Sequence, residues 1–331
     1  MPIVAAGFGA EPHFKGAIMN KLLEIKNLQT SFRIGGAYHA AVDDISLTMY
    51  KNEVFALVGE SGSGKSAMAL SIPRLHNAAF TQINGQVIFD GKNLLEMDIN
   101  QLNKIRGADI GMVFQDSLMA LNPLMPIGAQ IEEALFYHTG LSRAGRREYA
   151  HKLIKKVGLL PRVYSNLPHE LSGGMRQRVS IAIATSCNPR LIIADEPTTA
   201  LDVTIQAAVL DLLKEVQTST GASILLITHD LGVVAEIADR VAVMYAGQIV
   251  EIATTTELFA HPAHPYTRAL IDSMTSFVPI KGIVPALQDM PRAGCRFSSR
   301  ADAGLKHEDN PTYHEVSPGH FVLCSCWRSV A

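Results

Sequence analysis

The sequence predicts an α/β fold built on a parallel sheet, and three observations predict it. Short apolar runs that read as buried strands, among them Val54–Val58, Leu191–Ala194 and Ile224–Thr228, alternate with helical stretches. A glycine-rich loop, Gly59 to Gly64, stands between a strand pattern and a helix pattern. The chain of 331 residues is 47% hydrophobic and 18% charged, which is ample for a large buried core and excludes disorder as its main state.

Taken in order, residues 22–60 read as strands and turns: Leu22–Ile25, Ile45–Met49 and Val54–Val58, with a turn at Gly35–Gly36. Lys65 to Leu75 reads as helix, and Gly85 to Leu94 as a turn and strand with Gly91 at the turn. Strand patterns fade over about residues 117–170, where Ile131–Tyr137 and Arg146–Val157 are helical, so this block is expected to be a helical insert. Alternation returns with Gly173–Ser186, Leu191–Ala194, Ile205–Thr218 and Ile224–Thr228. Beyond about residue 262, seven prolines from Pro262 to Pro318 punctuate a tail expected to be irregular.

Composition excludes several classes. A formal net charge of -2 argues against holding nucleic acid by electrostatics. No apolar run reaches the ~18–20 residues needed to span a bilayer. Four cysteines are too few for a disulfide-rich secreted scaffold. Residues 1–21 are expected to be a flexible leader without a signal-peptide pattern.

Two motifs carry chemistry on their own. Gly59, Glu60, Ser61, Gly62, Ser63, Gly64, Lys65 and Ser66 match G-x-x-x-x-G-K-[ST] in full, after a strand and at the start of a helix. Backbone N–H groups of such a loop curl around a phosphate chain, and the lysine reaches the β- and γ-phosphates. The Ser66 hydroxyl is placed to ligate Mg2+. Leu191–Glu196 is an apolar strand ending in two carboxylates: Asp195 to support the Mg2+, and Glu196 to act as general base on the attacking water. Leu171-Ser172-Gly173-Gly174 precedes a helix for which Ser172 is a good N-cap.

With these motifs in this order, the chain resembles the ATP-binding cassette family, the nucleotide-binding subunits of ABC transporters. The resemblance covers about residues 22–260. It implies an ABC-type P-loop ATPase cassette with a parallel core sheet, an antiparallel β subdomain and a helical subdomain, followed by an irregular C-terminal extension over 261–331. It implies that Gln115 is the Q-loop glutamine, contacting Mg2+ and water, and that His229 is the switch histidine on the γ-phosphate. Phe32 would stack on adenine, with Tyr38 as the rival. Ser172, Gly173 and Gly174, with Asp202 of the D-loop Ala200-Leu201-Asp202, would reach in trans the nucleotide held by an opposing subunit. ATP would then hold two subunits together, and hydrolysis would separate them.

Within that family three features look like the dipeptide, oligopeptide and nickel importers: Phe114–Pro123, His264–Thr267, and the tail with Gly294–Phe297, Pro318–His320 and Cys324. The branch implies a peptide importer with two membrane permease subunits, a second ABC ATPase and an extracytoplasmic solute-binding protein. It places the chain at the cytoplasmic face of a bacterial inner membrane, with no nucleic-acid partner. Nickel or another small solute is the alternative cargo, and a non-transport ABC ATPase the more distant alternative. Relatives in this branch often carry four tail cysteines that hold an iron–sulfur cluster. Here Cys295 and Cys324 match, Ala301 stands where a cysteine is usual, and Cys326 is extra. The tail is therefore read as having lost an iron–sulfur cluster. A metal site from the three cysteines and His307 or His320 is the other reading. His261 and His264 are expected to be loop residues, and Arg143, Arg146 and Arg147 a solvated helix face.

Overall fold

The computed structural model describes residues 20–199, 201–276, 279–291, 293–301 and 305–329. Most of the expected leader and Ala200 of the D-loop run lie outside these. In chain order the elements are β1 (Lys21–Ile34), β2 (Ala37–Tyr50), β3 (Val54–Val58), α1 (Lys65–Ser71), β4 (Thr81–Phe89), β5 (Lys92–Asn93), α2 (Ile99–Ile105) and β6 (Ile110–Val113). Then come α3 (Ser117–Ala120), α4 (Ile127–His138), α5 (Arg143–Lys156), α6 (Gly173–Thr185), β7 (Leu191–Asp195), α7 (Val203–Thr220) and β8 (Ser223–Thr228). The chain continues with α8 (Leu231–Ile237), β9 (Arg240–Tyr245), β10 (Gln248–Thr254), α9 (Thr255–Ala260), α10 (Pro265–Ser276), β11 (Tyr313–Ser317) and β12 (His320–Leu323). Two compact units form: one from the residues up to Glu96 together with Thr228–Ala331, the other from Met97–Ile227.

In the first unit, β2, β1, β4 and β5 make an antiparallel sheet. Gly35 and Gly36 both take positive φ, 59° and 88°, which gives the two-residue hairpin turn whose twist suits the flanking strands. β1 and β2 are far longer than the apolar runs suggested. Register shifts after Ile25, Leu28 and Thr30 interrupt the pairing, so side chains do not alternate cleanly and the period-two signal is lost. The same unit holds β3 parallel to β9, β9 antiparallel to β10, and β10 antiparallel to β12. Every residue of β3 and β9 is buried, as befits strands covered on both faces.

The tail carries more regular structure than its prolines suggest. Pro265 occupies the first position of α10, where a missing N–H costs nothing. Pro318 and Gly319 form the turn of the β11–β12 hairpin, which adds to β10 at Glu251↔Val322 and Ile252↔Phe321. Glu251, fully buried, is the joint. Its carboxylate accepts the backbone N–H groups of Ala263 and His264 and Nε2 of His320, all at 2.7–2.8 Å. His264 is a loop residue, as expected, but not an exposed one. It is fully buried, and its Nδ1 accepts the Tyr266 N–H and so caps α10.

In the second unit β6, β7 and β8 pair in parallel and all of β7 and β8 is buried. The block read as helical carries α3 to α5. Ile127, Ile131 and Leu135 form the inward face of α4. Arg143 and Arg147 of α5 are exposed, as expected of a solvated face, with the guanidinium of Arg147 5.4 Å over Tyr164; Arg146 is half-buried, its guanidinium 5.0 Å over Phe136.

Two outcomes follow for the first unit. Glu251→Ala orphans two backbone donors and a histidine, and should cost at least about 3 kcal/mol in chemical denaturation; a cost under about 1 kcal/mol would show that the joint is idle. Burial drives His264 down from 6.5 to about 4. Between those values the unfolded chain binds the extra proton, so stability is full above about pH 6.5 and falls as the pH drops toward 4. His264→Asn, which can still cap the helix, should flatten the dependence of melting temperature on pH in that window; an unaltered slope would assign it to other groups.

Candidate nucleotide-hydrolysis site

The phosphate loop follows β3 directly. Gly59 and Gly64 have φ of 154° and 105°, and a Cβ on either would fall 2.1 Å from the Met244 carbonyl oxygen or 2.4 Å from that of Ala41. No other residue type fits there. Lys65 is buried, and its Nζ donates to the carbonyls of Gly59 (2.8 Å) and Glu60 (2.9 Å). The ammonium therefore sits inside the loop's curve. Ser66 lies in the first turn of α1. Phe32 is half-buried on β1 and meets the His76 ring edge-on at 5.2 Å; Tyr38 is 42% exposed. His229 follows the end of β8 and is exposed.

The loop has partners that the sequence reading missed. The Glu60 N–H donates to the Tyr266 hydroxyl at 2.9 Å. The two terminal guanidinium nitrogens of Arg300 donate to the Glu60 carboxylate, at 2.7 and 3.0 Å. Arg296, four residues earlier, bonds the Asp43 carboxylate and the Ala246 carbonyl. Burial, helped by the negative charge of Glu60 and opposed by Arg300, raises the Tyr266 hydroxyl well above the ordinary tyrosine range, so it stays protonated and can accept the amide while remaining neutral. His264–Thr267 was noticed in the sequence, but only as a branch marker. No spacing links residue 60 to residue 300, so the clamp had no sequence signal.

In the second unit, strand register assembles the carboxylate end. β6 and β7 pair Val113 with Ala194; two residues further on, the same register brings Gln115 level with Glu196. Nε2 of Gln115 donates to Oε2 of Glu196 at 3.0 Å, and the Thr199 hydroxyl donates to the same oxygen at 2.8 Å. Asp195 is the buried last residue of β7, 5% exposed. Glu196 turns sharply out of the strand with φ 44°, a left-handed conformation that costs a non-glycine residue on the order of 1 kcal/mol and collects at functional sites. Ser172 caps α6 through the Met175 N–H, and Asp202 caps α7 through the Ile205 N–H; both are exposed.

A complete phosphate loop after a buried parallel strand, and a carboxylate pair at the end of another, define a P-loop nucleotide hydrolase. Comparison with known proteins makes the class specific. The family model for ABC transporters matches residues 42–199, and that for the C-terminal region of oligopeptide/dipeptide transporters matches residues 250–306. The oligopeptide transport ATP-binding protein OppD of Lactococcus lactis subsp. cremoris is 46% identical over 320 residues, covering 93% of this chain and 94% of that protein. AppD of Bacillus subtilis, also an oligopeptide transport ATP-binding protein, is 48% identical over 318 residues, covering 92% and 97%. Among solved structures, the dimeric ATP-binding cassette MJ0796 bound to ADP and phosphate has a TM-score of 0.65 at 30% identity, over 71% of this chain and 99% of that one. The chain belongs to the ATP-binding subunits of ABC transporters and is an ATPase of that family.

Lys65→Ala should weaken ATP binding by about 10- to 100-fold, from the loss of charge-assisted bonds of roughly 1.5–3 kcal/mol. Unchanged affinity in a fluorescent-nucleotide titration would contradict the loop's role. Arg300→Ala should raise the Kd for ATP several-fold and lower the melting temperature, because Glu60 loses its clamp. If neither quantity moves, the clamp does not hold the loop.

Proposed function

We propose that this chain hydrolyses ATP with Mg2+ to drive the import of short peptides through separate membrane subunits. The observation that carries the cargo is the oligopeptide/dipeptide-type extension over residues 250–306, joined to an intact cassette. In this reading residues 22–260 are the ATPase domain, with the helical subdomain at about 117–170, and 261–331 are the extension.

The residues divide the work as follows. Lys65 and the N–H groups of residues 59–66 hold the β- and γ-phosphates, and Phe32 stacks on the base. Ser66, Gln115 and Asp195 offer a hydroxyl, an amide and a carboxylate, the hard oxygen donors that suit Mg2+. Bound there, that ion would neutralise phosphate charge. Glu196, its carboxylate oriented by Gln115 and Thr199, takes the proton of the attacking water. The water oxygen bonds to the γ-phosphorus as the bridging oxygen leaves with ADP. His229 donates to the γ-phosphate and steadies the developing charge. Ser172, Gly173, Gly174 and Asp202 serve the nucleotide of an opposing ATPase subunit, an arrangement supported by the dimeric relative.

Two membrane permease subunits, with a solute-binding protein acting on their far side, complete the transporter. A surface for them is supported by the stretch after Gln115, where Met119 is 82% and Leu124 87% exposed. Large apolar side chains held open in this way suit a short helix from a membrane subunit. Among the described residues no helix is long and apolar enough to cross a membrane. The proposed place of the chain is peripheral, at the cytoplasmic face of the inner membrane.

Glu196→Gln should keep ATP affinity within a few-fold and lower kcat by about 100- to 10,000-fold. Hydrolysis at the wild-type rate would remove Glu196 from the role of base.

A further inference from the structure

The tail brings four ligand-bearing side chains to one point. The Sγ atoms of Cys295, Cys324 and Cys326 and a ring nitrogen of His307 all lie within 4.8 Å of one another. The three cysteines are buried and unbridged by disulfides. Both ring nitrogens of His307 are shielded from solvent and have no hydrogen-bond partner. Orphaning a buried imidazole in this way costs about 1–3 kcal/mol unless something else binds it. His320, the other histidine considered from sequence, is committed elsewhere, with Nε2 on Glu251.

The size of the cluster selects its occupant. Around one tetrahedral ion, with metal–sulfur bonds of about 2.3 Å and metal–nitrogen bonds of about 2.0–2.1 Å, ligand atoms stand about 3.5–3.8 Å apart. The observed set is close to that size. A four-iron cubane instead binds each ligand to a different iron, with the whole inorganic core between them, and needs them much further apart. It also takes four thiolates, whereas here the fourth donor is an imidazole. The cluster expected of four-cysteine relatives therefore does not fit these residues. Three soft thiolates and one imidazole, four donors within 4.8 Å of one another, suit the tetrahedral coordination of zinc.

We propose that Cys295, His307, Cys324 and Cys326 bind a single zinc ion as a closed structural site. The surroundings suit that role. The Glu308 N–H donates to the Cys324 sulfur at 3.4 Å, the kind of outer bond that orients a thiolate ligand. Cys324 is held at φ 76°, a conformation that a non-glycine residue keeps only under constraint. The cysteines belong to the apolar core that contains Tyr245, Tyr266 and Phe297. Cys295 opens the turn that ends in Arg300, so the ion fixes the base of the arm that grips Glu60 of the phosphate loop.

The full-length chain, purified without chelator, is analysed for metal and for acid-labile sulfide. About one zinc per chain and no labile sulfide are expected. After chelation under reducing conditions, Co2+ should restore a visible spectrum with tetrahedral and thiolate-to-metal bands, saturating at one ion per chain and bleached by Zn2+. Cys187→Ser, outside the cluster, should leave this unchanged. His307→Cys should keep the ion and intensify the thiolate-to-metal band, a gain that misfolding cannot mimic. Iron with labile sulfide would overturn the assignment in favour of a cluster. Failure to take up Co2+ or Zn2+ stoichiometrically, with thiols reacting equally fast in the presence and absence of zinc, would overturn it altogether.

Discussion

Parallel pairing of strands buried on both faces is the constraint on which the chemistry depends. Such strands have no polar face, so charged groups appear only where a strand stops. In the first unit the last residue of β3, Val58, is followed at once by the phosphate loop. In the second unit β7 ends on Asp195, and the β6–β7 register sets Gln115 beside Glu196. A slip of one residue in that register would part the amide from the carboxylate that it orients. The left-handed turn at Glu196 is tolerated because Gln115 and Thr199 hold the carboxylate and the Ile227 carbonyl holds its backbone N–H.

The phosphate loop was legible in the sequence because phosphate binding demands glycine at set positions and a lysine at a set distance. The structure shows why at Gly59 and Gly64, where the Met244 and Ala41 carbonyls leave no room for a Cβ. Asp195 and Glu196 were legible as an abrupt change from apolar to acidic. β1 and β2 were legible only in part, since register shifts break the alternation that marks a strand. The β11–β12 hairpin was hidden because its strands are short and its proline looked like a breaker when it is the turn.

The contacts of the extension were the least legible, for a physical reason. Arg300 and Glu60 are 240 positions apart, and nothing local in either segment requires the other. The joint at Glu251 is equally non-local: one buried carboxylate gathers the start of α10 and the start of β12. Together these contacts make the extension a brace for the nucleotide loop within one compact unit. Tyr266, the tyrosine of the segment that marked the branch, has its hydroxyl on the loop's own backbone. A feature first seen as a family label therefore has a mechanical role.

The central claim is that ATP turnover by this chain powers the movement of peptides across a membrane. The most direct measurement is uptake of a labelled peptide library into vesicles that carry the chain with the membrane proteins that co-purify with it, following ATP consumption in parallel. The account predicts accumulation that requires ATP and rises with the rate of hydrolysis. Sustained hydrolysis with no accumulation of any peptide, but with uptake of a metal ion or another small solute, would contradict it.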